Sequence, residues 1–363
     1  MKLVVIGLTL SSSWGNGHAT TFRALLSAFA ARGHQVLFLE RDVPWYAASR
    51  DLPDPDFCEL RYYSQVAELD AWRTEVASAD CVMVGSYVPD GVEVGAWAQS
   101  AAPKAVCFYD IDTPVTLAKL TKGDFEYLTP DLIPGYRIYW SFTGGPTLER
   151  LERQYGSPRA RALYCSVDAT RYRPLASEAR WDLSYLGTYS DDRQPTLERL
   201  LIEVARRCPE RRFVVAGPQY PTDIPWPANV ERIEHLPPAD HPAFYSASRF
   251  TLNVTRADMI AAGWSPSVRL FEAGACATPI ISDRWEGISD VLEPGEAIVL
   301  ADTTEDVIEA LGKDAREMGL RARDAVLAHH SAERRAEQLE RDILTHLPSR
   351  ESARRGNLSY LPT

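Results

Sequence analysis

SPSVRLFEAGACATPIISD, residues 265–283, sets a Ser-Pro pair, an arginine and a lone glutamate at the mouth of a helix that leads straight into a buried strand. Ser265 is the expected N-cap and Pro266 the first helical residue, since a hydroxyl satisfies free N–H groups there and proline has no N–H to lose. FEAGACATPII is apolar apart from Glu272. A helix passing directly into a buried strand is one step of a parallel α/β sheet.

The same alternation runs outward in both directions. KLVVIG (2–7), HQVLFLE (34–40), CVMVG (81–85), KAVCFYD (104–110) and YRIYWSF (136–142) read as strands of a first unit. Between the first two, Phe22, Leu25, Leu26, Phe29 and Ala30 recur at helical spacing before the stop residue Gly33. A connector over 166–180 precedes a second set: 182–187, 212–217, 230–236, 250–255, 278–283 and 297–300. The pattern from 303 to about 347 is helical and charge-rich, and the remaining residues are polar. The expected architecture is therefore two doubly wound Rossmann-like domains, at 1–165 and 181–347, with a hinge at 166–180 and a tail at 348–363.

Composition narrows the partners. Fifty acidic against 39 basic residues give a net charge of −11, a field that repels nucleic acid and anionic membranes. No apolar run reaches the roughly 18 residues of a membrane span, so at most peripheral membrane contact is expected. The six scattered cysteines contain no C-x-x-C pair and read as reduced core residues of a cytoplasmic protein.

Parallel sheets bind ligands at the carboxyl ends of their strands, so the loops there carry the functional reading. After the first strand, TLSSSWGNGHATTFR supplies Gly15 and Gly17 for tight turns ahead of a helix N-terminus that could face an anion. It is no dinucleotide fingerprint: Thr20 stands where a third glycine is needed, and Glu40 is the one acid offered to a ribose. His18 in the same loop could be a general base or a structural histidine. Asp110 and Asp112, in CFYDIDTPVTL, could bind a cation, orient hydroxyls, share a proton or shape the turn before Pro114. In the second unit, Gly187, Thr188 and Arg193 suit a diphosphate. Ser265, Ser267 and Arg269 line the helix mouth quoted above, and Glu272 lies where a carboxylate could accept bonds from two ribose hydroxyls. The other reading of Glu272 is an ion pair with Arg269.

RLFEAGACATPIISDRWEGISDVLEPGEAIVL resembles the donor-binding segment of GT-B glycosyltransferases, in particular family 4 and its CgeB-like (spore maturation protein) branch. GNGHATTFRALLSAFAARGHQVLFLERD, YDIDTPVTL, DLSYLGTYSDDRQPTLERLL and TLNVTRADM extend that resemblance over most of the chain. It implies two Rossmann-like domains facing each other across a cleft, an acceptor in the N-terminal one and a nucleotide-sugar in the C-terminal one. It also implies that Glu272 binds ribose, that His235 and Leu236 contact the base, that Asn253 and Arg256 face the sugar or diphosphate, and that the tail returns to the N-terminal domain. One departure stands out: Trp264 occupies the position of the first glutamate in the Glu-x7-Glu pattern of many family-4 members.

The expected activity is metal-independent transfer of a sugar from a nucleotide donor, a UDP-sugar first, to an acceptor hydroxyl, with no cofactor. If transfer inverts the anomeric centre a base is required, with His18 the first candidate and Asp110 or Asp112 the next; if it retains, those residues position acceptor and sugar. A nucleotide-sugar epimerase or hydrolase of the same fold, or a non-catalytic nucleotide-sugar-binding module, is the alternative.

Overall fold

A computed structural model describes residues 1–14 and 17–348, and in it the chain divides into two compact units. The first comprises Met1–Cys165 together with the helix Ala332–His346, and the second Ser166–Ser331. Gly15 and the expected tail from residue 349 onward lie outside the described residues.

The first unit is built on a sheet of parallel strands β1 (Lys2–Gly7), β2 (Gln35–Arg41), β3 (Glu59–Tyr63), β4 (Cys81–Gly85), β5 (Val106–Asp110), β6 (Tyr139–Ser141) and β7 (Ala160–Ala162). Their spatial order is β3-β2-β1-β4-β5-β6-β7. Strands β4 and β5 are buried at every residue, because helices cover both faces of a parallel sheet. Helix His18–Ala31 buries Phe22, Leu25, Leu26 and Phe29 against Val5 and Phe38, and Ala336, Leu339 and Ile343 of helix Ala332–His346 join the same cluster. Each such apolar side chain stabilises the unit by roughly 1.5–3 kcal/mol.

The second unit repeats the plan with β8 (Leu183–Leu186), β9 (Phe213–Ala216), β10 (Val230–Ile233), β11 (Thr251–Asn253), β12 (Ile280–Ser282) and β13 (Val299–Leu300), in the order β10-β9-β8-β11-β12-β13, all parallel. In each sheet the winding reverses beside the first strand, between β1 and β4 and between β8 and β11. Those two reversals are where loops diverge and leave a ligand-sized crevice at the carboxyl ends.

Three sequence expectations change here. β3 and β7 were not expected; they are the two edges of the first sheet, and their half-exposed, polar residues lack the continuous apolar signal of the central strands. The helix Ala332–His346 packs in the first unit, so the second ends at Ser331 and not at residue 347. The connector 166–180 is part of the second unit: Val167 bridges to Ser331, and Tyr172 is buried.

Candidate functional site

The switch point of the second sheet gathers most of the expected donor residues. β11 ends on Asn253, which is fully buried. Its carboxamide oxygen accepts from Ser267 Oγ at 2.7 Å and Arg269 Nη1 at 2.8 Å, while Nδ2 donates to Ser282 Oγ at 2.9 Å and Thr255 Oγ1 at 3.2 Å. Arg269 Nε donates to the carbonyl of Leu186, the last residue of β8, at 2.6 Å. One guanidinium thus spans both strands of the reversal.

The helix of the quoted stretch runs Val268–Ala275, and its N-cap is Ser267, not Ser265. The Ser267 hydroxyl caps no N–H because Asn253 takes it; Ser265 Oγ donates to the Gly263 carbonyl at 3.0 Å. No side chain caps this helix mouth, which keeps its positive dipole end. Asn253, expected to face the sugar or diphosphate, instead fixes Ser267 and Arg269.

Arg193 follows on the loop after β8. Its Nη2 donates to the Thr188 carbonyl at 2.6 Å, and its buried Nε has no partner among the described residues. Burial lowers the Arg193 pKa from its ordinary value, and the charges of Arg269 and Arg256 lower it further. Arg256, half-exposed, lies 3.9 Å from Asp192. Asp283 is held by Thr255 N at 2.8 Å and Thr255 Oγ1 at 2.7 Å, and burial raises its pKa. Three arginines and these two carboxylates meet at the strand ends, with one buried donor unsatisfied among the described residues.

Backbone closeness shapes the same place. Gly217, with φ 142°, sits where a Cβ would come 2.1 Å from the Gly187 carbonyl oxygen, so only glycine lets the ends of β8 and β9 approach this closely.

Glu272 is 6% exposed and does not pair with Arg269. Tyr245 OH donates to Glu272 Oε2 at 3.3 Å, and His241 Nδ1 lies 3.6 Å from the same oxygen. Burial, then the Glu272 carboxylate, raises the hydroxyls of Tyr172 and Tyr245 above the usual tyrosine range. His241, at the start of helix His241–Ser246, was missed by sequence reasoning; its signal is a histidine directly before a proline at a helix opening. His235 is exposed and Leu236 half-buried on the segment before it. Trp264 has φ 43°, and its indole donates to Asp290 at 2.6 Å.

A cavity of about 620 Å³ opens at the other end of this sheet, between Phe250 and Pro279. Arg249, Lys313 and Arg316 in its wall already meet Asp182, Glu309 and Asp314, so it offers an anion little.

In the first unit, His18 Nε2 lies 2.8 Å from Asp112 Oδ2, and its buried Nδ1 has no partner among the described residues. If Nε2 carries the proton donated to the carboxylate, Nδ1 keeps its lone pair for a base. Gly17 is exposed directly before the helix. Asp112 occupies the N-cap position of helix Thr113–Lys122, yet its carboxylate turns to His18. β5 ends at Asp110, which is fully buried with its carboxyl facing Tyr139 and Thr116. Both oxygens of its carboxyl are committed to partners within the unit. Glu40, the ribose candidate of a dehydrogenase reading, is also fully buried and accepts from Leu10 N at 2.6 Å, Ser11 N at 2.9 Å and Ser11 Oγ at 2.6 Å. It fastens the loop after β1. Among the described residues, no group of three or more His, Cys, Asp or Glu could hold a metal ion, and no helix is long and apolar enough to cross a membrane.

The fold is that of the GT-B glycosyltransferases. Sucrose-phosphate synthase from Thermosynechococcus elongatus superposes with TM-score 0.69 at 15% identity, covering 95% of this chain and 100% of that one. Anabaena HepE in complex with UDP and glucose gives 0.67 at 12%, covering 95% and 100%; an α-glucosyltransferase in complex with UDP-glucose and DNA containing an abasic site gives 0.67 at 12%, covering 95% and 99%. Within that fold, residues 193–341 match the sequence family described as Glycosyl transferase-like. No curated protein sequence matches the chain.

Proposed function

We propose that the protein transfers a sugar from a nucleotide-diphosphate-sugar to an acceptor hydroxyl without a metal ion. The observation that carries this reading is the buried, unpartnered Nε of Arg193 beside Arg269 and Arg256, at the switch point of the glycosyl transferase-like unit. Leaving a buried N–H unsatisfied costs about 1–3 kcal/mol, a penalty that a bound diphosphate removes. As the bond from the anomeric carbon to the β-phosphate oxygen breaks, its electron pair leaves with the nucleoside diphosphate. Arg193, Arg269 and the mouth of helix Val268–Ala275 stabilise that developing charge.

Glu272 accepts the ribose hydroxyls, with His241 beside it, and His235 and Leu236 contact the base. In the first unit His18, oriented by Asp112, takes the proton of the acceptor hydroxyl as its oxygen bonds to the anomeric carbon. Neighbours complexed with UDP or UDP-glucose favour a UDP-sugar as donor. The motifs running from Gly15 to Asp42 and from Asp182 to Leu201 favour the CgeB-like branch. The net charge argues against a nucleic-acid acceptor, and six free cysteines favour a cytoplasmic setting.

The test is thermal stability against UDP, GDP, ADP, dTDP, CDP and NAD, followed by UDP release from UDP-sugars with and without acceptors. A shift of several degrees for one diphosphate supports the donor site. Release that needs an acceptor supports transfer, and release to water alone identifies a hydrolase.

A further inference from the structure

We infer that Asp110 is a positioning residue that holds the Asp112–His18 pair in place when it is ionised and loosens that hold when it is protonated. The inference rests on the reading of His18 as the group that takes the acceptor's proton.

The geometry is directional. Asp110 closes β5 with 0% exposure. Its Oδ2 accepts from Tyr139 OH at 2.5 Å, and its Oδ1 accepts from Thr116 Oγ1 at 2.7 Å and from the backbone N–H of Asp112 at 3.2 Å. Tyr127 OH, 2.7 Å from Thr116 Oγ1, donates to that oxygen once the threonine proton is committed to Asp110. Thr113 Oγ1 donates to the Asp110 carbonyl at 3.1 Å, and Ser86 Oγ accepts from Ile111 N at 3.1 Å. The turn 110–113 is thereby fixed, and Asp112 is delivered 2.8 Å from His18.

Every partner of the Asp110 carboxyl in this arrangement is a donor. A proton on Oδ2 reverses the Tyr139 bond, and Oδ1, no longer charged, then holds Thr116 and the Asp112 N–H more weakly. The titratable groups that face Asp110 are Tyr139 from β6, Tyr127 from beyond helix Thr113–Lys122, and Asp112 from its own turn, with His18 behind Asp112. Burial pushes the Asp110 pKa up to about 6, the Asp112 charge adds to the rise, and the Tyr139 and Thr116 hydrogen bonds oppose it.

Tyr139→Phe keeps the ring and removes one donor, and Asp110→Asn removes the charge. Two readouts are needed: the pH profile of kcat with donor KM, and an NMR titration of the His18 imidazole, identified by its loss in His18→Gln, recorded without substrates. Tyr139→Phe should move the acid limb of kcat upward by about half a unit while leaving donor KM unchanged. Asp110→Asn should lower kcat about tenfold and make His18 titrate at lower pH, because the ionised neighbours that favour imidazolium are gone or misplaced. If both folded variants keep the wild-type acid limb and His18 titration, the inference is overturned. If the wild type transfers no sugar yet His18 still responds to Asp110, the coupling stands and the reading of the reaction falls.

Discussion

Arg269 Nη1 lies 2.8 Å from Asn253 Oδ1, while Arg269 Nε holds the Leu186 carbonyl at 2.6 Å. This fork ties the two strands of the reversal together beside the helix mouth. Lysine carries the charge but cannot span both acceptors. Arg269→Lys should therefore weaken UDP binding about tenfold or more, ~1.4 kcal/mol, as read by calorimetric titration. Unchanged affinity would remove Arg269 from the diphosphate site.

Glu272→Gln keeps the size of the side chain and removes its charge. The stabilisation by UDP, expected to be several degrees in the wild type, should fall by at least half, because a carboxylate accepts two hydroxyl bonds where an amide oxygen must share with an N–H donor. A full UDP response in the variant would make Glu272 a structural partner of Tyr245 and Tyr172 alone.

The His18 assignment predicts the stereochemistry. A base that activates the acceptor for direct displacement gives a product of inverted anomeric configuration, which NMR of the first product reads. His18→Gln should lower kcat by about 10²-fold or more with donor KM little changed. A retained anomer would remove His18 as base.

Asp110 also links pH to stability. Its folded-state pKa, about 6, lies above the ordinary 3.8, so the folded protein binds this proton more tightly than the unfolded chain. Its contribution to stability is greatest below about pH 4, falls as pH rises towards 6, and is constant above. Wild-type stability in urea unfolding should therefore fall by up to ~2–3 kcal/mol between pH 4 and pH 7.5, and Asp110→Asn should lose that part of the pH dependence. An unchanged pH dependence in the variant would mean that another group titrates.

Trp264 packs its indole under Gly287, where a Cβ would come 2.4 Å from the ring and φ is 86°. Gly287→Ala should destabilise the protein by ~2–4 kcal/mol, measured by chemical unfolding. Wild-type stability would show that the indole can move aside.

The central strands were legible because they are apolar on both faces, as in Val4, Val5, Val82 and Val84. The edge strands β3 and β7 were not, since half their surface faces solvent. Arg193, on the loop after β8, and Arg269 and Glu272, on the helix Val268–Ala275, were readable as candidates. Their partners were not: Asn253 reaches Arg269 across 16 positions and Glu40 reaches Leu10 across 30. The Ser267 cap was misplaced for the same reason, as a long-range acceptor overrode the local preference. Asp110 and Asp112 look alike in sequence, and only burial separates the one that organises the turn from the one that meets the histidine.

If the arginines at the end of β8 hold the departing diphosphate as proposed, they also hold it once the sugar has gone. Spent nucleotide would then compete with fresh donor for one seat, and turnover would slow as the by-product accumulates.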